Sequence, residues 1–108
     1  MIARLAGVAI SIWVAAPGIA TAQMSPSEQR GQTLVRANCG RCHAIDKIST
    51  SPLKIAPPFR ELHLRYPVGD LQESLVEGIR TGHENMPEFR FDVGQASDII
   101  AYMKSLER

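Results

Sequence analysis

Cys39-Gly40-Arg41-Cys42-His43 is the run on which the reading of this chain turns. Two thiols about one helical turn apart, followed at once by an imidazole, have the spacing used for covalent attachment of a c-type haem. The chemistry sets the spacing. Each thiol can add to one of the two vinyl groups on one haem edge, and the His next to the second thiol then lies beneath the iron. A proximal imidazole is the usual axial ligand there. On these five residues alone two other uses stay open, a redox dithiol and half of a zinc site.

The start of the chain bears on the choice. Arg4 is the only charge before Glu28, and Leu5 to Ala20 is apolar but broken by Gly7, Pro17 and Gly18. A membrane span needs about 20 mostly apolar residues, so this run is short for one. A basic start, an apolar centre and the small-x-small end Ala20-Thr21-Ala22 are the parts of a secretory signal, with cleavage expected after Ala22. Residues 1–22 are therefore read as a signal peptide and 23–108 as the domain. A retained N-terminal anchor is the alternative, because only Gln23 to Ser27 separates the apolar run from the domain. Both readings put the domain outside the cytoplasm, where two lone cysteines would normally pair. A disulfide across two intervening residues closes a very small loop and adds little chain-entropy stabilisation. Haem attachment is the better use of the pair.

Residues 23–108 suffice for one small domain with a thin core. Such domains often need a staple, and a covalently held haem would supply apolar surface on both faces. This part carries as many Lys and Arg as Asp and Glu, which gives no support to nucleic-acid binding. The charges are unevenly placed. Residues 41–65 hold Arg41, Lys47, Lys54, Arg60 and Arg65 against Asp46 and Glu61, whereas residues 66–98 hold seven acids against Arg80 and Arg90. That separation either orients the protein on a charged partner or is ordinary solvated surface.

Helical patterns occupy three stretches, and strand signals are weak throughout. The first runs from about Ser27 to Asn38, behind the Ser25-Pro26 of a helix start, and leads straight into Cys39. The second is expected from Asp70 to Thr81. Asp70 and Glu73 would form a capping box, Leu71, Leu75, Val76 and Ile79 an apolar stripe, and Gly82 would end it. The third runs from Asp92 or Val93 to Leu106, capped by Asp92 with Gln95, and buries Ile99, Ile100, Met103 and Leu106. Residues 44–68 are rich in Pro and polar residues, with a short helical turn near Phe59–Arg65. So long a loop in so small a domain needs something to wrap around, and a haem would serve.

If His43 is one axial ligand, the second is sought among Met24, Met86, Met103, His63 and His83. Met103 lies on the apolar stripe of the last helix and Met24 at the frayed start. Met86 precedes Pro87, which pushes it out of helical geometry into a rigid loop between the second and third helices. A polarizable thioether is a suitable iron ligand and raises the reduction potential. His83 competes with Met86 and would lower it. His63 is read as a surface residue or a partner for a backbone carbonyl.

Together these residues resemble the class I (monohaem) cytochrome c family, and the resemblance covers essentially all of 23–108. Cys39-Gly40-Arg41-Cys42-His43 matches its haem-binding motif, Gly31 the small residue where the first and last helices cross, and Tyr102 the aromatic of the facing helix. Ala56-Pro57-Pro58-Phe59 resembles the segment whose proline carbonyl accepts a hydrogen bond from the axial His, which makes Pro57 the partner of His43. Met86-Pro87 followed by Phe89 looks like the axial methionine loop. The chain departs from better-known members in having no Trp after residue 22 to hold a haem propionate, and Val35 where the first helix often carries Phe. Arg60, Arg65 and Tyr66 are the candidates for the propionate role.

The resemblance implies an all-α fold, three main helices wrapped around one haem c bound through Cys39 and Cys42, with Cys39, Cys42, His43, Pro57 and Met86 as cofactor-binding residues and His43 and Met86 on the metal. With the signal and the even charge balance, it leads to the expectation of a soluble bacterial periplasmic electron carrier, not an enzyme, that docks transiently with redox proteins at an exposed haem edge, binds no nucleic acid and has no stable membrane insertion after cleavage. A haem enzyme or a sensor of peroxide or diatomic gas is the alternative if the sixth position is open. A haem subunit of a larger oxidoreductase is another. A thiol or metal protein without haem is the third and leaves His43, Pro57 and Met86 together by coincidence.

Overall fold

The computed structural model describes residues 2–18, 23–78 and 86–108. Among these the fold is all-α: helix α1 spans Pro26–Asn38, α2 Leu71–Glu77 and α3 Val93–Ser105. Short 3-10 helices at Phe59–Leu64 and Val68–Asp70 lie between α1 and α2.

The local chemistry explains where the long helices begin. Ser25 caps α1, its hydroxyl accepting the Glu28 N–H at 3.1 Å, and Pro26 follows at the first helical position. Asp92 and Gln95 form the expected capping box at α3. The Asp92 carboxylate accepts the Gln95 N–H at 2.7 Å, and the Gln95 side chain accepts the Asp92 N–H at 3.2 Å.

The second helix differs from its expectation at both ends. Asp70 makes no capping bond, because it already has helical dihedrals (φ −68°, ψ −15°) at the end of the preceding 3-10 turn. No box with Glu73 forms. At the other end Gly78 stops the helix with φ +108°, a conformation that glycine adopts without steric cost. The helix is thus shorter than the stripe of apolar residues implied. Ile79, Thr81 and Gly82, on which the longer helix depended, lie outside the described residues.

Helices α1 and α3 pack at Gly31. A Cβ built there would stand 1.9 Å from the Asp98 carbonyl oxygen and 2.9 Å from Tyr102 Cβ, so only glycine lets the backbones meet. Polar bonds fix the same crossing. Arg30 Nε and the Ser27 hydroxyl both donate to Asp98, at 2.8 and 2.6 Å; beyond the crossing, the Tyr102 hydroxyl donates to the Ile45 carbonyl of the loop after α1 at 2.6 Å. One core cluster joins Val35, at 0% exposure, with Ala96, Ile99 and Met103 of α3, Leu75 of α2, Phe59 and Leu62 of the first 3-10 helix, and Phe91. The smaller Val35 is therefore a fully buried core residue.

Segment 2–18 contains no helix or strand. Its large apolar side chains, Ile2, Leu5, Val8, Ile10, Ile12, Trp13 and Val14, are 81–98% exposed and contribute nothing to the core.

Two outcomes follow from the crossing. Gly31→Ala must push the helices apart, with a loss of at least about 1–3 kcal/mol, read as a fall of several degrees in the thermal midpoint. Hydrogen bonds from Arg30 and then Ser27 hold the Asp98 carboxyl below its ordinary value of 3.8. Its contribution is complete above that value and is lost as pH falls through the lowered folded one. Asp98→Asn is expected to reduce stability at neutral pH and to flatten the acid limb of the stability profile, measured by denaturant unfolding from pH 2 to 7.

Candidate cofactor site

Helix α1 delivers Cys39 at its C-terminal cap, where the Cys39 N–H still donates to the Val35 carbonyl at 2.8 Å. The next residues curl into a tight turn. Gly40 N–H donates to Val35, and the N–H groups of Cys42 and His43 both return to the Cys39 carbonyl, at 3.2 and 3.0 Å. The turn places Cys39, Cys42 and His43 on one cleft of 240 Å³ that Leu53, Met86, Pro87 and Phe89 also line.

A larger cavity of 630 Å³ shares Cys39, His43, Met86 and Phe89 with that cleft. Its volume is in the ~300–1,000 Å³ range of cofactor sites. Pro57, Phe59, Leu62, Leu75, Phe91, Ile99 and Met103 give it a mostly apolar wall, and Ile55, Arg65, Tyr66, Asp70 and Leu71 complete the lining.

His43 is 8% exposed and is held from several sides. Its Nδ1 lies 2.7 Å from the Pro57 carbonyl. A carbonyl can only accept, so Nδ1 carries the proton and Nε2 keeps its lone pair for a metal. The Phe59 ring packs beside it at 4.8 Å between centroids.

The five residues singled out in the sequence, Cys39, Cys42, His43, Pro57 and Met86, all meet around this pair of cavities. His83, the rival of Met86, lies outside the described residues. His63 is exposed on the 3-10 helix and lines neither cavity. Among the propionate candidates, Arg65 and Tyr66 line the larger cavity, whereas Arg60 does not. Its guanidinium donates to the backbone carbonyls of Asp46 and Ser49, at 3.3 and 2.7 Å, and so braces that loop.

Phe89 and Phe91 had not been singled out as cavity walls. They stack at 6.0 Å between centroids. Their spacing of two in a segment outside any helix was the available signal, since alternate residues of extended chain share a face. The Phe91 N–H anchors that segment to the Leu75 carbonyl of α2 at 2.8 Å. Ser51 was also missed: it is buried and accepts the Ala44 N–H at 2.9 Å. Nothing in the pattern of Ser49-Thr50-Ser51 distinguishes that serine.

The rival chemistries fit less well. Both cysteines are free and half-buried, and burial pushes the Cys39 thiol up to about 11. A redox dithiol needs a thiolate near neutral pH, and burial at Cys39 disfavours one there. A structural zinc site needs four close ligands, and among the described residues no three His, Cys, Asp or Glu side chains stand so that they could hold one metal ion. A haem fits the donor set: two thiols, an imidazole with one available nitrogen, a thioether and a mostly apolar cavity wall.

Residues 26–103, from the start of α1 into α3, match the family model described as cytochrome c oxidase, cbb3-type, subunit III. No curated protein and no solved structure matches the chain. Because the match spans well over half of the sequence, the chain belongs to this family, a c-type cytochrome domain of the class I type whose chemistry is haem-based electron transfer.

Proposed function

We propose that the protein is an exported one-electron carrier with a single haem c, bound through Cys39 and Cys42 and ligated by His43 and Met86. The observation that carries this reading is the meeting of both thiols, the Pro57-bonded His43 and Met86 on one cleft that opens onto the residues of a larger, mostly apolar cavity. The haem supplies the one-electron couple. The chain's part is to hold it, orient the two axial donors and limit water around it. A rigid six-coordinate site changes charge with little change of shape, which suits transfer without a substrate pocket.

Each residue has a stated task. Cys39 and Cys42 fix the macrocycle to the end of α1. Pro57 keeps the His43 ring in one tautomer and strengthens its donor nitrogen. Met86 supplies the soft donor that favours the reduced state. The apolar wall of Phe59, Leu75, Phe91 and Ile99 raises the cost of the extra positive charge of the oxidised state in the same direction.

The apolar side chains of segment 2–18 stand outside the core, which supports its reading as a signal removed on export to the periplasm. Among the described residues no helix is long and apolar enough to cross a membrane. Docking to redox partners would use the cleft edge at Cys42 and Arg41, through a contact below about 1,200 Å² that releases quickly.

The family description favours a second reading, in which the same domain serves as a haem subunit of a terminal oxidase. Electron transfer is its chemistry in both cases. Co-purification of oxidase subunits with the tagged protein from its native membranes selects the subunit, and recovery as a lone small protein selects the carrier.

The ligation is tested by Met86→Ala. The ferric wild type is expected to be low-spin with a weak far-red sulfur–iron band. The variant should lose that band, bind cyanide or carbon monoxide at once, and fall in potential by at least about 60 mV, a tenfold change for one electron. An unchanged spectrum moves the sixth ligand to His83 or elsewhere. A high-spin wild type that binds these ligands directly favours the enzyme or sensor alternative.

A further inference from the structure

Residues 51–59 fold back onto Cys42, His43 and Ala44 through four hydrogen bonds. Leu53 N–H donates to the Cys42 carbonyl at 3.0 Å, and Phe59 N–H to the Ala44 carbonyl at 2.9 Å. His43 Nδ1–H donates to the Pro57 carbonyl at 2.7 Å. In the fourth, the Ser51 hydroxyl accepts the Ala44 N–H at 2.9 Å. Only Ser51 and His43 use side chains.

Ser51 stands apart from its neighbours. Ser49, Thr50 and Pro52 are exposed, while Ser51 is 7% exposed. A hydroxyl is buried at a net cost unless it is bonded, and this one is bonded to the peptide that directly follows His43. Ala44 is consequently clamped on both sides, its N–H by Ser51 and its carbonyl by Phe59. The backbone of His43 cannot turn without breaking one of these bonds, and the Pro57 carbonyl is carried by the same fold-back.

We infer that Ser51 is a positioning residue for His43: its buried hydroxyl sets the register in which the Pro57 carbonyl meets Nδ1, and so sets how strongly Nε2 donates to the iron. This rests on the reading of His43 as axial ligand. A firm bond from Nδ1–H makes the opposite nitrogen a better donor and favours the oxidised iron. A slack one favours the reduced iron.

The experiment compares the wild-type holoprotein with Ser51→Ala and Ser51→Thr, reading exchange of the His43 Nδ1 proton by NMR and the reduction potential. Ser51→Ala is expected to speed that exchange about two- to tenfold, the weight of one hydrogen bond, and to raise the potential. Ser51→Thr keeps the hydroxyl and is expected to keep both values near wild type. A Ser51→Ala protein that melts earlier but keeps wild-type exchange and potential overturns the inference, as does a Thr variant as perturbed as the Ala one. Should Ser51→Ala fail to mature, the wild type decides. The Ala44 amide and the His43 Nδ1 proton should exchange through one shared opening with matching protection, and an Nδ1 proton that exchanges independently overturns the coupling. A wild-type His43 ring without the hyperfine shifts of an iron-bound imidazole removes the axial reading and this inference together. Normal shifts that ignore Ser51 remove this inference alone.

Discussion

The close contact of Gly31 with the Asp98 carbonyl is the constraint on which the rest of the structure depends. It fixes how far apart α1 and α3 stand. Eight residues after Gly31, Cys39 caps α1, and one residue after Asp98, α3 presents Ile99 to the cavity, followed a turn later by Met103. The thiol edge and the opposite wall are therefore placed by one backbone approach. The bonds of Arg30 and Ser27 to Asp98 keep that approach from sliding.

The segments between the long helices do a different task. They bond to each other and to the helices that flank them. The fold-back of 51–59 binds the turn after α1, the Tyr102 hydroxyl holds the loop at Ile45, and the segment that carries Met86 is tied to α2 through Phe91 and Leu75. Phe59, Leu62, Leu75 and Phe91 are core residues that also face the cavity. In so small a domain the same apolar side chains form the core and the cavity wall, so a group held in that cavity would complete the core.

Much of this was legible in the residues because it follows local rules. The Asp92–Gln95 box, the Ser25-Pro26 start of α1 and the spacing of Cys39, Cys42 and His43 are short-range features, and each appears where its chemistry places it. The roles of Gly31 and Pro57 came from resemblance, since no local rule tells which glycine meets another helix or which carbonyl meets an imidazole fourteen residues away. The second helix was misjudged because the Asp70–Glu73 spacing looks like a cap, but the 3-10 turn before it had already taken Asp70 into helical geometry. Gly78 was passed over because the apolar stripe continued to Ile79. Ser51 and Arg60 were illegible as structural residues. Their partners are backbone groups 7 to 14 positions away, and a polar loop has no periodicity that shows which of its side chains turns inward.

The central claim is that both cysteines hold a single haem. The most direct test is the intact mass of the protein after export in a host that performs haem attachment. A mass equal to residues 23–108 plus one haem, retained after acid-acetone extraction, is the predicted result. A mass equal to the bare polypeptide would contradict the account.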